Sequence, residues 1–244
     1  MRTVLLIFLS STYLLSFGQI KKDANFWTGV GLEMEVVKDL NVGLETQIRL
    51  NDNLSSFNQA YLEVDADYKL LKGLRAGIIY RYARKHSDYY FNQNRLCLDL
   101  SYKYKLDFGL SFKTRARYQH AFDRLSIVNG IFPEKKNIYR QSFKISYSNK
   151  ELKLISPFIG AEIFHSIQPV NENTGFLDTY RIKAGANIDL AKRHSLKIFY
   201  TFEHEYRAAN NRSFIYGIQY NYQFKSLYKK MKKKKKEQNK SSED

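Results

Sequence analysis

Charged residues recur at every second position along much of this chain: Glu45, Glu63, Asp65, Asp67, Asp99, Glu162, Glu203 and Glu205, with Arg49, Arg75, Arg81, Arg95, Arg115, Arg117, Arg140, Lys144, Arg181 and Lys183. Side chains two apart on an extended strand share a face, so these groups would meet in one interior. Behind a low-dielectric wall opposite charges attract strongly, and the planar guanidinium fork suits carboxylates. The arrangement predicts interior ion pairs that hold strand register. An arginine-lined passage for an anionic solute is the second reading. Glu63, Asp65 and Asp67 stack on one face of one strand. Such closely spaced carboxylates can ligate calcium, but Arg75 and Arg81 on the next segment supply simpler partners. Neither a metal site nor a cofactor is expected.

His86, His120, His165 and His204 fall in the opposite, apolar register or its extension, each near the end of its segment. That position predicts an interfacial belt alongside Tyr and Phe. His86 with Ser87 and Asp88, or His165 with Ser166, offers the residue types of a hydroxyl nucleophile, its base and an orienting acid. Neighbours on a strand point to opposite faces, however, so neither pair is a ready dyad. The phosphate-binding loop, the GxSxG elbow and the HExxH pair are absent. Cys97 is the single cysteine and can form neither an internal disulfide nor a redox pair. No catalytic residue is assigned, and an enzyme is not expected. The alternative of that class is a barrel that modifies lipid A or phospholipid.

The elements that must carry these residues are strands. From Phe26 to Phe224 eleven segments alternate an apolar register with a polar one. In Leu40 to Leu50, Leu40, Val42, Leu44, Thr46, Ile48 and Leu50 oppose Asn41, Gly43, Glu45, Gln47 and Arg49. Most segments run about ten to twelve residues, enough for a tilted strand to cross a bilayer, where soluble sheets use roughly five or six. Aromatic residues make up 15% of the chain, with 19 Tyr and 17 Phe but only three Pro, a mix that favours strands with aromatic girdles. Short turns near Lys38 to Asp39, Leu71 to Gly73, Leu106 to Asp107, Asn149 to Glu151 and Ala191 to His194 alternate with polar loops at Asn51 to Ser56, Lys85 to Asn94, Ala121 to Asn137, Ser166 to Gly175 and Arg207 to Asn211. Short turns belong on the periplasmic side and longer loops outside the cell. The expected fold is all-β, a single antiparallel transmembrane β-barrel. Because single-chain bacterial barrels have even strand numbers, twelve strands are expected, with ten as the alternative. The twelfth would be a short strand near Gln19 to Asn25.

The ends complete the domain organisation. Arg2 precedes an apolar run from Val4 to Phe17, with Ser16 and Gly18 placed for signal-peptidase cleavage before Gln19. This predicts a signal peptide over residues 1–18, a barrel over 19–224 and an exported chain in a Gram-negative cell outer membrane. Net charge is +16, but Lys225 to Asp244 alone holds nine Lys and three acids. An exported chain does not meet nucleic acid in its working compartment, so no nucleic-acid partner is expected. The tail 225–244 is expected to be disordered in the periplasm, where it could attract peptidoglycan or another anionic surface. Other expected partners are outer-membrane lipid and lipopolysaccharide. Phe224, ending the last strand, looks like the aromatic-terminated signal read by the barrel-assembly machinery.

Short stretches resemble a known family: FWTGVGLEMEV (Phe26 to Val36), LETQIRL (Leu44 to Leu50), YRY (Tyr80 to Tyr82), RARYQH (Arg115 to His120) and SPFIGAEIF (Ser156 to Phe164) are similar to an uncharacterised outer-membrane family, domain of unknown function 2490. The resemblance covers Gln19 to Phe224. It implies an outer-membrane barrel of unassigned activity and brings no catalytic residue with it; the polybasic tail departs from the family pattern. The leading expectation is a structural, narrow or plugged barrel with a salt-bridged lumen, with a small anion-selective porin and a lipid-modifying enzyme as alternatives.

Overall fold

The computed structural model describes residues 22–86, 90–123, 136–148, 154–167, 177–206 and 211–232. The signal peptide expected over 1–18 and most of the tail lie outside them. Eleven strands run in chain order: β1 (Lys22–Val37), β2 (Leu40–Asn51), β3 (Ser56–Leu71), β4 (Leu74–His86), β5 (Tyr90–Lys105), β6 (Leu110–Asp123), β7 (Lys136–Tyr147), β8 (Ile155–Ser166), β9 (Leu177–Ala191), β10 (His194–Glu205) and β11 (Asn211–Gln223). Each pairs with its sequence neighbours, and β1 pairs with β11 to close the barrel. No helix among the described residues is long and apolar enough to cross a membrane. The strands are 12 to 16 residues long. At about 3.3 Å per residue and a tilt of about 40°, twelve residues rise about 30 Å, the thickness of a hydrocarbon core.

The strand number is eleven, not the expected twelve or ten, and the barrel is mixed rather than wholly antiparallel. In a meander every strand reverses direction, so an odd count leaves the first and last strands pointing the same way. Closure is therefore parallel, in register from Lys22 opposite Arg212 to Glu33 opposite Gln223. The eleven alternating segments were the right ones; the even-number rule was the wrong guide. Residues 22–25 extend β1 instead of forming a separate strand. The start of β1 is fixed at the end of the barrel that holds the β2–β3 connection, where Leu54 N–H donates to the Ala24 carbonyl and Asn53 N–H to Asp23 Oδ1 at 2.8 Å. The last strand ends at the opposite rim, where Phe224 N–H donates to the Glu33 carbonyl at 2.8 Å. Beyond it Ser226 Oγ accepts from Lys229 N–H and starts a short helix over residues 227–232, within the tail expected to be disordered.

At one rim the turns are tight where the structure describes them. Asp39 and Arg193 adopt positive φ, and Gly73 (φ 86°) and Gly109 (φ 92°) occupy positions where a side chain would be strained. The turn expected at Asn149 to Glu151 lies outside the described residues. At the other rim β4 reaches His86 and β5 begins at Tyr90, so Lys85, His86 and residues 90–94 of the loop expected over Lys85 to Asn94 are strand, and 87–89 lie outside the described residues. The larger connections there are 124–135 between β6 and β7 and 168–176 within the β8–β9 link, both outside the described residues.

The two registers separate cleanly. Val30, Leu62, Val64, Ile78, Leu98, Phe143, Ile159 and Ile182 stand exposed around the outside. The opposite register, bearing Glu63, Arg81, Arg117 and Arg140, is buried in the lumen. An apolar cluster of Trp27, Phe158, Phe199 and Ile215 also lies inside. Gly217 makes room for it, because a Cβ there would overlap the Phe199 ring.

The parallel seam predicts a specific cross-link. In a Cys97→Ser background, Thr28→Cys with Ile218→Cys, which are direct partners, should form a disulfide on oxidation of the folded barrel. Mobility on non-reducing gels reads it. A bridge from Met34→Cys to Ile218→Cys instead would refute this register.

Candidate functional site: the charged lumen

Cross-strand register brings the predicted charges together. Glu63 on β3 lies directly opposite Arg81 on β4, and Asp99 on β5 opposite Arg117 on β6. Arg81 Nε and Nη2 approach Glu63 Oε2 at 2.6 and 2.5 Å. Arg117 grips Asp99 through two parallel hydrogen bonds of 2.6 and 2.7 Å, the fork geometry that makes arginine pairs directional. Glu162 on β8 accepts from Arg115 Nη2 and Arg140 Nη2, each at 2.9 Å, and lies 3.9 Å from Arg181 Nη1. Arg181 is also paired with Glu203, and Arg75 with Asp67. The pairs from Glu63 to Glu203 form a belt of opposite charges across the lumen, while Arg75–Asp67 lies beside the tight β3–β4 turn.

Other members of the predicted set are held differently. Glu45 accepts from the Tyr61 hydroxyl and from Gln219 Nε2. Arg49 has no carboxylate within 4 Å among the described residues; its guanidinium lies 3.7 Å above the Trp27 ring and donates to Gln47 Oε1. Arg95 sits opposite Arg81 and donates through Nη2 to Gln93 Oε1 at 3.3 Å on its own strand. Asp65, the middle carboxylate of its ladder, makes no ion pair within 4 Å among the described residues, while its neighbours Glu63 and Asp67 do. No group of three acidic, His or Cys side chains among those residues could hold a metal. Glu205 lines the central cavity near Glu203.

Interior aromatic rings escaped the sequence reading. Tyr61, Phe164 and Phe199 occupy the polar register, where charged residues surround them. Arg81 stacks on Tyr61 at 3.6 Å, and Arg140 and Arg181 lie over Phe164 at 4.5 and 4.6 Å. Flat cations that pair edge-on with carboxylates can thus rest their faces on rings. The signal available was phase: each ring stands two residues from a charged residue of its own strand, and so on the same face, as Tyr61 does before Glu63.

The histidines lie in the outer register at the loop-bearing rim, among aromatic rings. His86 packs on Tyr90 at 4.5 Å, His120 on Phe122, His165 on Tyr139 and His204 on Tyr206 at 4.4 Å. His120 Nδ1 also meets Asn137 Oδ1 at 2.6 Å. Ser87 and Asp88, the companions considered for His86, lie outside the described residues. A fifth histidine, His194, occupies the opposite rim against Tyr220 and Tyr222, so both rims carry mixed His and Tyr surfaces.

Over residues 24–214 the sequence matches the family described as Protein of unknown function (DUF2490). The chain belongs to this family. No curated protein matches it. Among solved structures, this DUF2490 chain is similar to a NanC porin, with 12% identity, 74% of this chain and 86% of that chain covered, and a TM-score of 0.48. The beta domain of the Bordetella autotransporter BrkA gives 11% identity, 79% and 95% coverage and 0.48. The translocator domain of the autotransporter NalP from Neisseria meningitidis gives 10%, 67% and 67%, and 0.39. Likeness at this level carries no argument; the DUF2490 barrel stands on its own strand pairing.

Arg117→Ala should destabilise the barrel by about 3 kcal/mol, because Asp99 would lose both of its short hydrogen bonds and keep only Arg115 Nη1 at 3.9 Å. Changing both, as Arg117→Met with Asp99→Leu, should recover most of that loss. The temperature at which the folded band disappears in heat-modifiability gels measures both effects.

Proposed function

We propose that this DUF2490 protein is an outer-membrane barrel whose lumen is braced and narrowed by its own side chains, so that its role is structural or confined to small solutes. One observation carries the reading: the Glu63–Arg81, Asp99–Arg117, Glu162–Arg140 and Glu203–Arg181 pairs meet at mid-height, beside buried Trp27, Phe158 and Phe199. A wide aqueous pore keeps its charges solvated on the wall; here they are spent on each other. Membrane placement is supported by the exposed apolar register around the barrel. A continuous apolar belt of that kind far exceeds what soluble monomers expose, and closure leaves no strand edge unpaired.

In this reading the signal peptide directs export, the rim with tight turns faces the periplasm together with the Lys-rich tail, and the rim bearing 124–135 and 168–176 faces outward. The histidine and tyrosine rims then rest at the two headgroup levels. A small anion-selective channel is the second reading, favoured by the excess of cations over carboxylates along the inner wall. A lipid-modifying enzyme has less support, since the histidines are packed on aromatic neighbours.

Planar-bilayer recording separates the first two readings. The purified barrel should show little or no steady conductance. Large, stable, anion-selective steps that disappear in Arg115→Ala or Arg117→Ala would replace the braced barrel with the porin. For orientation, Asn53→Cys should react with a membrane-impermeant maleimide in intact cells, whereas Arg193→Cys should react only after the outer membrane is permeabilised. Buried Cys97 contributes little background. The reverse labelling pattern would invert the assignment.

A further inference from the structure

Ion pairing stops short of one wall of the lumen. Lys103, Lys113 and Lys144 follow one another as direct cross-strand partners on β5, β6 and β7, and the same row continues through Gly160 on β8 to Lys183 on β9. Lys197 on β10 projects into the same space. Like charges directly opposite each other destabilise a sheet, and here they recur twice in succession. None of these lysines has a carboxylate within 4 Å among the described residues. The nearby Glu162 is already engaged by Arg115 and Arg140. The row begins exposed near the tight-turn rim at Lys103 and Lys113 and rises to half-buried positions at Lys144 and Lys183.

Four of these lysines, Lys113, Lys144, Lys183 and Lys197, converge on one cavity. Lys113, Arg115, Lys144, Arg181, Lys183 and Lys197 line this cavity of about 310 Å³ together with a single carboxylate, Glu162, which Arg115 and Arg140 already hold; the volume is at the small end of the roughly 300–1,000 Å³ common for ligand pockets. Lys144 lies 4.0 Å over the Phe158 ring and Lys183 4.5 Å over Phe199, so the rings orient the cations and are not free to stack on a ligand. A cleft whose lining is predominantly of one charge sign, with low-dielectric walls, concentrates counter-ions. We infer that this lysine-lined cavity is a binding site for a compact polyanion, a small molecule carrying two or more phosphate or carboxylate charges. A monovalent anion would offset one of four unpaired ammonium groups; a polyanion offsets several at once. Lysine is a flexible point charge without a fixed fork, so charge density selects the ligand more than outline does. The inference rests on the barrel fold and holds whether or not the barrel conducts.

Trp27, the single tryptophan, packs edge-on against Phe199 at 6.4 Å, the ring that Lys183 covers, and lies 5.4 Å from the Arg181 guanidinium, so a ligand that moves either cation should change its emission. Refolded full-length barrel should show a saturable change in tryptophan fluorescence on titration with pyrophosphate, and separately with citrate, at constant ionic strength. Sodium chloride at matched ionic strength should not reproduce it. Lys144→Met and Lys183→Met should each weaken pyrophosphate binding at least tenfold, with folding verified by heat-modifiability gels. Should either variant fail to fold, Lys113→Gln at the exposed end of the row should still weaken binding severalfold. Deletion of residues 225–244 should leave binding unchanged. Absence of a saturable response to both anions, an equal response to chloride, unaltered affinity in the lysine variants, or loss on removal of the tail would each overturn the site.

Discussion

Every backbone N–H and C=O in hydrocarbon must find its partner within the chain, and a sheet can meet that demand only by closing on itself. In this protein closure depends on β1 meeting β11, strands that run the same way because their number is odd. Parallel ladders are slightly weaker per residue than antiparallel ones. Twelve consecutive partners compensate by length, and Phe224 adds a further hydrogen bond at the end of the seam. Once closure is fixed, the period of two decides everything else: one register faces outward, the other is confined.

Confinement explains the interior. The inner register places carboxylates and guanidiniums opposite one another where water is scarce, so each unpaired charge is costly and each pair is directional. Arginine dominates the braced belt because it can pair with a carboxylate along its edge and lie on an aromatic ring with its face, as Arg81 does between Glu63 and Tyr61. Lysine dominates the wall where pairing ends. The interior thus divides into a self-neutralised zone and a cationic one, and the two differ in residue type as well as in charge balance.

Much of the fold was legible because strand alternation is a local property. Leu40 to Leu50 declares its two faces without reference to any other segment. Partner identity followed less completely. Arg81 with Glu63 and Arg75 with Asp67 were readable because adjacent strands are joined by a short turn and their register is set by it. Glu162 gathering Arg115 from two strands away was not, since that depends on curvature across the lumen. Strand parity was misjudged because it is a global quantity: no residue signals that Trp27 will sit beside Gly217. The interior aromatics and the lysine row were obscured for a related reason. Lys113 and Lys144 are ordinary polar positions in their own strands and become unusual only when placed side by side.

An even-stranded meander returns its chain to the rim where it began, so its two ends can be joined by a short linker and the barrel circularly permuted. The parallel seam removes that freedom. Lys22 and Gln223 stand at opposite rims, a full strand apart, and a linker between them would have to run the length of the barrel, through the lumen or along its outer wall. Domains appended at the two ends of this barrel would accordingly stand at opposite rims, which gives the barrel a direction that an even-stranded meander lacks.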